Sequence, residues 1–220
     1  MNLLDQEGPQ NIRRITRVKV CGITRWEDAL CCLSLNVHAV GFNFYSKSPR
    51  YLSPAEAQGI IQRLPPLMAS IGVFVNESNP AEVERIAHQT GLQGVQLHGE
   101  ETPEYCRRLA SIPVIKAFRL ERGFSLDSLK EYAVSAILLD GFKPGEYGGT
   151  GMCCDWQAAA VIAQLYPVIL SGGLCPANVG QAIKMVKPWA VDVCSGVEFA
   201  PGRKDPQKLQ AFLNSVRDES

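Results

Sequence analysis

From residue 17 onward the chain alternates between two hydrophobic rhythms. Short, nearly continuous apolar runs end near residues 21, 44, 75, 97, 118, 139, 170 and 193, and each is followed by a stretch with apolar positions at helical spacing. A run apolar on both faces is what a strand covered on both sides of a parallel sheet requires. The helical stretches fall at 26–35, 54–64, 80–90, from 103, and then at 126–132, 155–165, 176–186 and 205–216. Several open on local signals. Ser53-Pro54, Asn79-Pro80 and Thr102-Pro103 each place a side-chain oxygen before a proline, whose missing N–H costs nothing in the first helical turn. Gly22 permits a sharp exit from the first strand, and Thr24 stands where the next helix opens.

Eight such units predict an α/β fold, a single-domain (β/α)₈ TIM barrel, with a doubly wound open sheet as the other arrangement compatible with the pattern. At 220 residues the chain suits one domain, and no linker or low-complexity stretch divides it. Residues 1–16, broken by Gly8 and Pro9, read as an irregular leader, and residues 17–220 as the barrel.

Charge narrows the partners. Twenty-two basic residues balance 22 acidic ones, so no global field draws in nucleic acid or an anionic membrane, and anion binding has to be local. No stretch approaches the roughly 18 apolar residues of a membrane span, and the first residues lack the apolar run of a signal peptide. The expectation is a cytoplasmic protein. Among the eight cysteines, Cys31-Cys32 and Cys153-Cys154 are adjacent and no Cys-x-x-Cys spacing occurs, which favours reduced thiols over disulfides or zinc ligands.

A barrel of this kind builds its site at the carboxyl ends of the strands. Cys21 ends the first strand, where a thiolate can abstract a proton, although a cysteine there also serves as a small buried hydrophobe. Lys19 is a nearby cation that favours the thiolate if it reaches. Asp140 ends the sixth strand behind three large apolar residues, as a reacting carboxyl or as a tether for its own loop. Strands 1 and 6 face each other across a closed barrel, so Cys21 and Asp140 can flank one substrate. After strands 7 and 8 come Ser171-Gly172-Gly173 and Ser195-Gly196, whose backbone N–H groups make Gly172, Gly173, Ser195 and Gly196 candidates for a phosphate cradle. Gln96 and His98 at the end of strand 4, and Asp192 in strand 8, are candidate substrate contacts or structural hydrogen-bonding residues. His38 and His88 sit where a structural role suffices, and the glycines of Gly148-Gly-Thr-Gly151 suit a lid.

Six strings carry a resemblance: Val18-Lys-Val-Cys-Gly-Ile-Thr24; Gly41-Phe-Asn-Phe44 with Ser48-Pro-Arg-Tyr51; Val95-Gln-Leu-His-Gly99; Leu138-Leu-Asp140 with Tyr147-Gly-Gly-Thr-Gly151; Leu170-Ser-Gly-Gly-Leu174; and Asp192-Val-Cys-Ser-Gly-Val-Glu198 with Lys204-Asp205. In this order, and at these strand ends, they resemble the phosphoribosylanthranilate isomerase family of tryptophan biosynthesis. The resemblance implies an Amadori rearrangement of a small phosphosugar, with Asp140 as general acid, Cys21 as general base and Arg50 against the anthranilate carboxylate. That chemistry calls for no metal and no organic cofactor, and the protein is expected as a monomer or homodimer. Two departures stand out: Met152-Cys-Cys154 after the lid glycines, and Cys194 where the family carries serine. The rivals are another phosphosugar barrel enzyme and a phosphate-binding barrel without catalysis. Such an enzyme would be a Schiff-base lyase on Lys116, or an isomerase with aspartates ending strands 1 and 5, where Cys21 and Phe118 stand instead.

Overall fold

Strand β1 (Arg17–Val20) pairs in parallel with β2 (Ala39–Asn43) on one side and β8 (Ala190–Val193) on the other, and that second pairing closes the sheet on itself. Between them run β3 (Ala69–Phe74), β4 (Gly94–Leu97), β5 (Val114–Arg119), β6 (Ala136–Asp140) and β7 (Val168–Leu170), all parallel. Closure selects the TIM barrel over the open doubly wound sheet. The computed structural model describes residues 15–109, 111–120, 124–141 and 155–219. Most of the leader, the lid glycines and Cys153-Cys154 lie outside them.

The outer ring is α1 (Trp26–Ser34), α2 (Pro54–Ile61), α3 (Pro80–Thr90), α4 (Pro103–Arg107), α5 (Trp156–Ala163), α6 (Val179–Val186) and α7 (Pro206–Asp218). The caps that the chain spells out form. Ser53 accepts from Glu56 N while the Glu56 carboxylate accepts from Ser53 N, a full capping box. Asn79 accepts from Ala81 N and Thr102 from Tyr105 N.

Four local expectations are corrected. Thr24 does not cap α1; the helix starts one residue later, so Arg25 holds the cap position without a side-chain cap, and the Thr24 hydroxyl donates to Gly202 O at 2.6 Å. Residues 126–131 form a 3₁₀ turn rather than an α-helix, since only Leu129 of that segment is buried and no apolar face anchors a longer element. Helix α6 begins at Val179 rather than near 176, because the Asn178 side chain accepts from Cys175 N and donates to Gly173 O, holding the intervening turn. An antiparallel hairpin, β9 (Glu198–Ala200) with β10 (Arg203–Lys204), follows β8 where the sequence reading had only a loop.

Side chains alternate across each strand and sort into two cores. Val18, Val20, Val40, Phe42, Ile137 and Leu139 point outward into the layer shared with the helices, where α7 adds Leu209, Phe212, Leu213 and Val216. Ala117, Ala136, Leu138, Ile169 and Ala190 form a separate small cluster that plugs the barrel interior. Above that plug the same inward rows become polar, which is where the site lies. The six described cysteines are free thiols, and among the described residues no helix is long and apolar enough to cross a membrane.

Candidate active site

The inward rows end in a cavity of about 370 Å³ whose wall includes Cys21, Arg50, Gln96, His98, Asp140, Ser171, Asp192 and Cys194. Two-residue spacing explains the membership: Cys21 follows Lys19, His98 follows Gln96, and Cys194 follows Asp192 on the same faces of β1, β4 and β8.

On the β1 side, register places Lys19 opposite Asp192. Their side chains are buried and ion-paired at 2.9 Å, and the Ser171 hydroxyl donates to the other Asp192 oxygen at 3.3 Å. Burial opposes the charge on Lys19, but Asp192 and the neighbouring Cys21 outweigh it and hold the ammonium above its ordinary value. Cys21 responds in the opposite sense. A hydrogen bond from Cys194 and the positive charges of Lys19 and Lys204 outweigh burial and the Asp192 carboxylate, bringing its thiol down to about 6. Gly41 on β2 makes room for this pair, since a Cβ there would stand 2.9 Å from Cys21 Sγ and 3.1 Å from Lys19 Nζ.

Across the cavity Asp140 is buried, and its two oxygens are held differently. Oδ1 accepts from Gly141 N at 2.8 Å, while Oδ2 lies 3.1 Å from His98 Nε2, and His98 Nδ1 lies 2.7 Å from Gln96 Nε2. The three side chains form a line that ends on an unpartnered buried oxygen, Gln96 Oε1.

Arg50 enters from the loop after β2. Ser48 Oγ accepts from both Arg50 N and Asn43 Nδ2, fixing that loop against the strand end. Glu198 accepts from Arg50 Nε at 2.9 Å and Nη2 at 2.6 Å, and from Lys204 Nζ at 2.8 Å. Burial opposes the Glu198 charge, but these two cations prevail and hold its carboxyl below the usual range.

The two glycine loops meet above β7 and β8. Gly172 and Gly173 have φ of +83° and +62°, a region that penalises any side chain, and a Cβ added at Gly172 would collide with Gly141 N and lie 3.0 Å from Asp140 Oδ1. Gly196 stands against the Leu174 carbonyl, so the loops touch. From these loops the cavity wall takes Ser171 and Cys194, and the predicted Gly172, Gly173, Ser195 and Gly196 follow them immediately but do not line it.

The family model for N-(5'-phosphoribosyl)anthranilate isomerase matches residues 18–215. The chain belongs to that family. Among curated relatives, the N-(5'-phosphoribosyl)anthranilate isomerase of Geobacter sulfurreducens is 47% identical over 203 residues, covering 92% of this chain and 99% of its own. Among solved structures, the phosphoribosyl anthranilate isomerase of Thermus thermophilus superposes with a TM-score of 0.85 at 39% identity, covering 93% of this chain and 100% of that one. A second, solved in complex with reduced 1-(o-carboxyphenylamino)-1-deoxyribulose 5-phosphate, gives 0.79 at 41% identity over 92% of this chain and 99% of that one.

As a phosphoribosylanthranilate isomerase, this chain is an isomerase, and its predicted site residues sort by position. Cys21, Arg50, Asp140, Gln96, His98 and Asp192 share one cavity, and Lys19 lies just behind it. Lys116 does not join them. On β5 the inward positions are Ile115 and Ala117, so Lys116 points the other way, ion-paired to Glu101 at 3.0 Å and donating to Gly99 O at 2.6 Å. A lysine so saturated with acceptors and turned from the cavity is no Schiff-base nucleophile here. The sequence reading assigned no role to Glu198 or Lys204, and it placed Ser171 only in the phosphate loop, not against Asp192. Strand alternation from Asp192 marks Cys194 as inward; nothing local marks Glu198 or Lys204, which meet Arg50 only through the fold.

Proposed function

We propose that this chain isomerises N-(5'-phosphoribosyl)anthranilate to 1-(2-carboxyphenylamino)-1-deoxyribulose 5-phosphate in tryptophan biosynthesis, with Asp140 as general acid and Cys21 as general base. The observation that carries these roles is the placing of a low-pKa thiol and a hydrogen-bonded carboxyl on opposite strands of one cavity. Protonation of the furanose ring oxygen by Asp140 opens the ring to an iminium. The Cys21 thiolate then takes the proton from C2, giving an enolamine that becomes the ketone when C1 gains a proton and the C2 hydroxyl loses one.

The line Gln96–His98–Asp140 supports the acid. With Gln96 Nε2 donating to Nδ1, His98 carries its proton on Nε2 and donates to an ionised Asp140. When Asp140 carries the proton, the line runs the other way, with Nδ1–H donating to Gln96 Oε1 once the amide turns. On the other side, the Nη1 edge of Arg50 is the part of the guanidinium that Glu198 leaves for the substrate carboxylate. The paired glycine loops after β7 and β8 suit the phosphate, whose oxygens accept from backbone N–H groups at close approach.

The test supplies freshly made substrate and follows loss of its fluorescence. Cys21→Ala and Asp140→Asn should each lower kcat by about 10²–10⁴ while leaving the thermal midpoint near that of the unaltered protein. Near-normal turnover in either variant removes that residue from its assigned step.

A further inference from the structure

Glu198 stands behind the cavity wall with its carboxylate committed to this chain. Oε1 accepts from Arg50 Nε at 2.9 Å, Lys204 Nζ at 2.8 Å and Gly202 N at 3.2 Å, while Oε2 accepts from Arg50 Nη2 at 2.6 Å. Glu198 is 7% exposed and Lys204 1%, so neither is a solvated surface charge. Lys204 is itself fastened to the site. Its ammonium donates to the carbonyls of Cys21 and Cys194, and its backbone N–H donates to Asp28 Oδ2 at 3.0 Å. The stem of Arg50 lies across Gly22, the residue after Cys21, where an added Cβ would stand 2.5 Å from Arg50 Cδ.

We propose that Glu198, braced by Lys204, is a positioning residue that aims the outer edge of Arg50 and so makes the enzyme selective for N-aryl phosphosugars with a carboxylate ortho to the linking nitrogen. The inference rests on the reading of Arg50 as the partner of the substrate carboxylate.

A buried ion pair adds little net stability compared with apolar packing of the same volume. Three linked charges behind a cavity wall are therefore better explained by orientation. With Nε and Nη2 both held by one carboxylate, the plane of the guanidinium is fixed, and Nη1 leads the edge that remains for a ligand in the cavity that Arg50 lines. Charge points the same way. Arg50 and Lys204 supply two positive charges and Glu198 one negative, so the cluster is left with one positive charge, the complement of a single substrate carboxylate. Without the Glu198 charge the two cations would repel, and the arginine head, at the cavity, would turn rather than the wholly enclosed lysine. Because Lys204 also holds the Cys21 carbonyl, the carboxylate anchor and the base keep one spacing.

The experiment compares two substrates, N-(5'-phosphoribosyl)anthranilate and N-(5'-phosphoribosyl)aniline, which differ only in the ring carboxylate. Each ketose product is followed by chromatography in the unaltered protein, Glu198→Gln, Arg50→Ala and the double variant. In the unaltered protein kcat/KM should favour the anthranilate by about 10–100-fold, the range of one charge-assisted contact. Glu198→Gln keeps the shape and removes the charge; it should cut that preference about tenfold through KM for the anthranilate, with kcat/KM for the aniline within about threefold of the original. Added to Arg50→Ala, which has already lost the preference, the same substitution should change little further. Glu198→Asp, charged but one methylene shorter, draws the carboxylate away from Arg50; it should also cut the preference, and it carries the test if the glutamine variant does not fold. A packing role would slow both substrates equally, so a preference left unchanged by the folded Glu198 variant overturns the proposal even where Arg50→Ala abolishes that preference. A preference that survives Arg50→Ala overturns it one step earlier, by removing Arg50 from the carboxylate.

Discussion

Arg50 shows how a residue's neighbours set its job. A loop arginine is usually a solvated charge, yet here Ser48 fixes its backbone, and Glu198 takes two of its donors and holds the guanidinium above even its ordinary value, against the opposing effect of burial. A fork held this rigidly loses little freedom when it meets a second carboxylate. Arg50→Ala is therefore expected to raise KM by roughly 10–100-fold, the size of a charge-assisted contact of about 1.5–3 kcal/mol, with a smaller loss in kcat. Steady-state kinetics on the purified variant decides; a fall in kcat at constant KM would place Arg50 in the reaction step instead. That Cys21 and Asp140 face one cavity was legible in the chain because each stands at a strand end, and Arg50 because it lies in a recognisable string in the loop after β2. The pairing of Arg50 with Glu198 was not, because 148 residues separate the partners.

Elements follow short-range rules where the side chain and its backbone partner are near in sequence. Asn79 caps α3 through a bond to Ala81 N at 3.1 Å, and Gly91 ends the same helix at a φ of 78°. Asn79→Ala should cost about 1 kcal/mol, read as a fall of roughly 2–4 °C in the calorimetric midpoint for a domain of this size. An unchanged midpoint would show that Pro80 alone suffices to start the helix. Thr24 marks the limit of such rules. The helix begins one residue too late for its hydroxyl to cap it, and that hydroxyl donates to a distant carbonyl, Gly202 O. The β9–β10 hairpin was illegible as well, since the Glu198–Lys204 pair that spans it is completed by Arg50 in the loop after β2 and by the Cys21 carbonyl, both far away in the chain.

At the scale of the molecule, Glu198 joins the loop after β2 to the chain after β8, holding Arg50 on one side and Lys204 on the other. Its folded carboxyl lies below the ordinary value of 4.5, so its contribution to stability is full above that value and is lost as pH falls through the lower, folded value. The gap in thermal midpoint between the unaltered protein and Glu198→Gln should be widest at neutral pH and shrink as pH drops below about 4.5. A gap constant from neutral pH to pH 3 would assign the effect to packing. The strand and helix order, the count of units and the strand-end residues were all present in the linear chain, because alternation, capping and apolar runs act over a few residues. The count of eight units pointed to a closed barrel with the open sheet as the alternative, and the meeting of β1 with β8, whose partners Lys19 and Asp192 stand 173 positions apart, is what closes it. What pairs with Lys19, what receives Lys116 and what holds Arg50 depend on groups brought together by that closure. Electrostatic and hydrogen-bonding neighbourhoods are properties of distance in space, and for this site the fold alone supplies those distances.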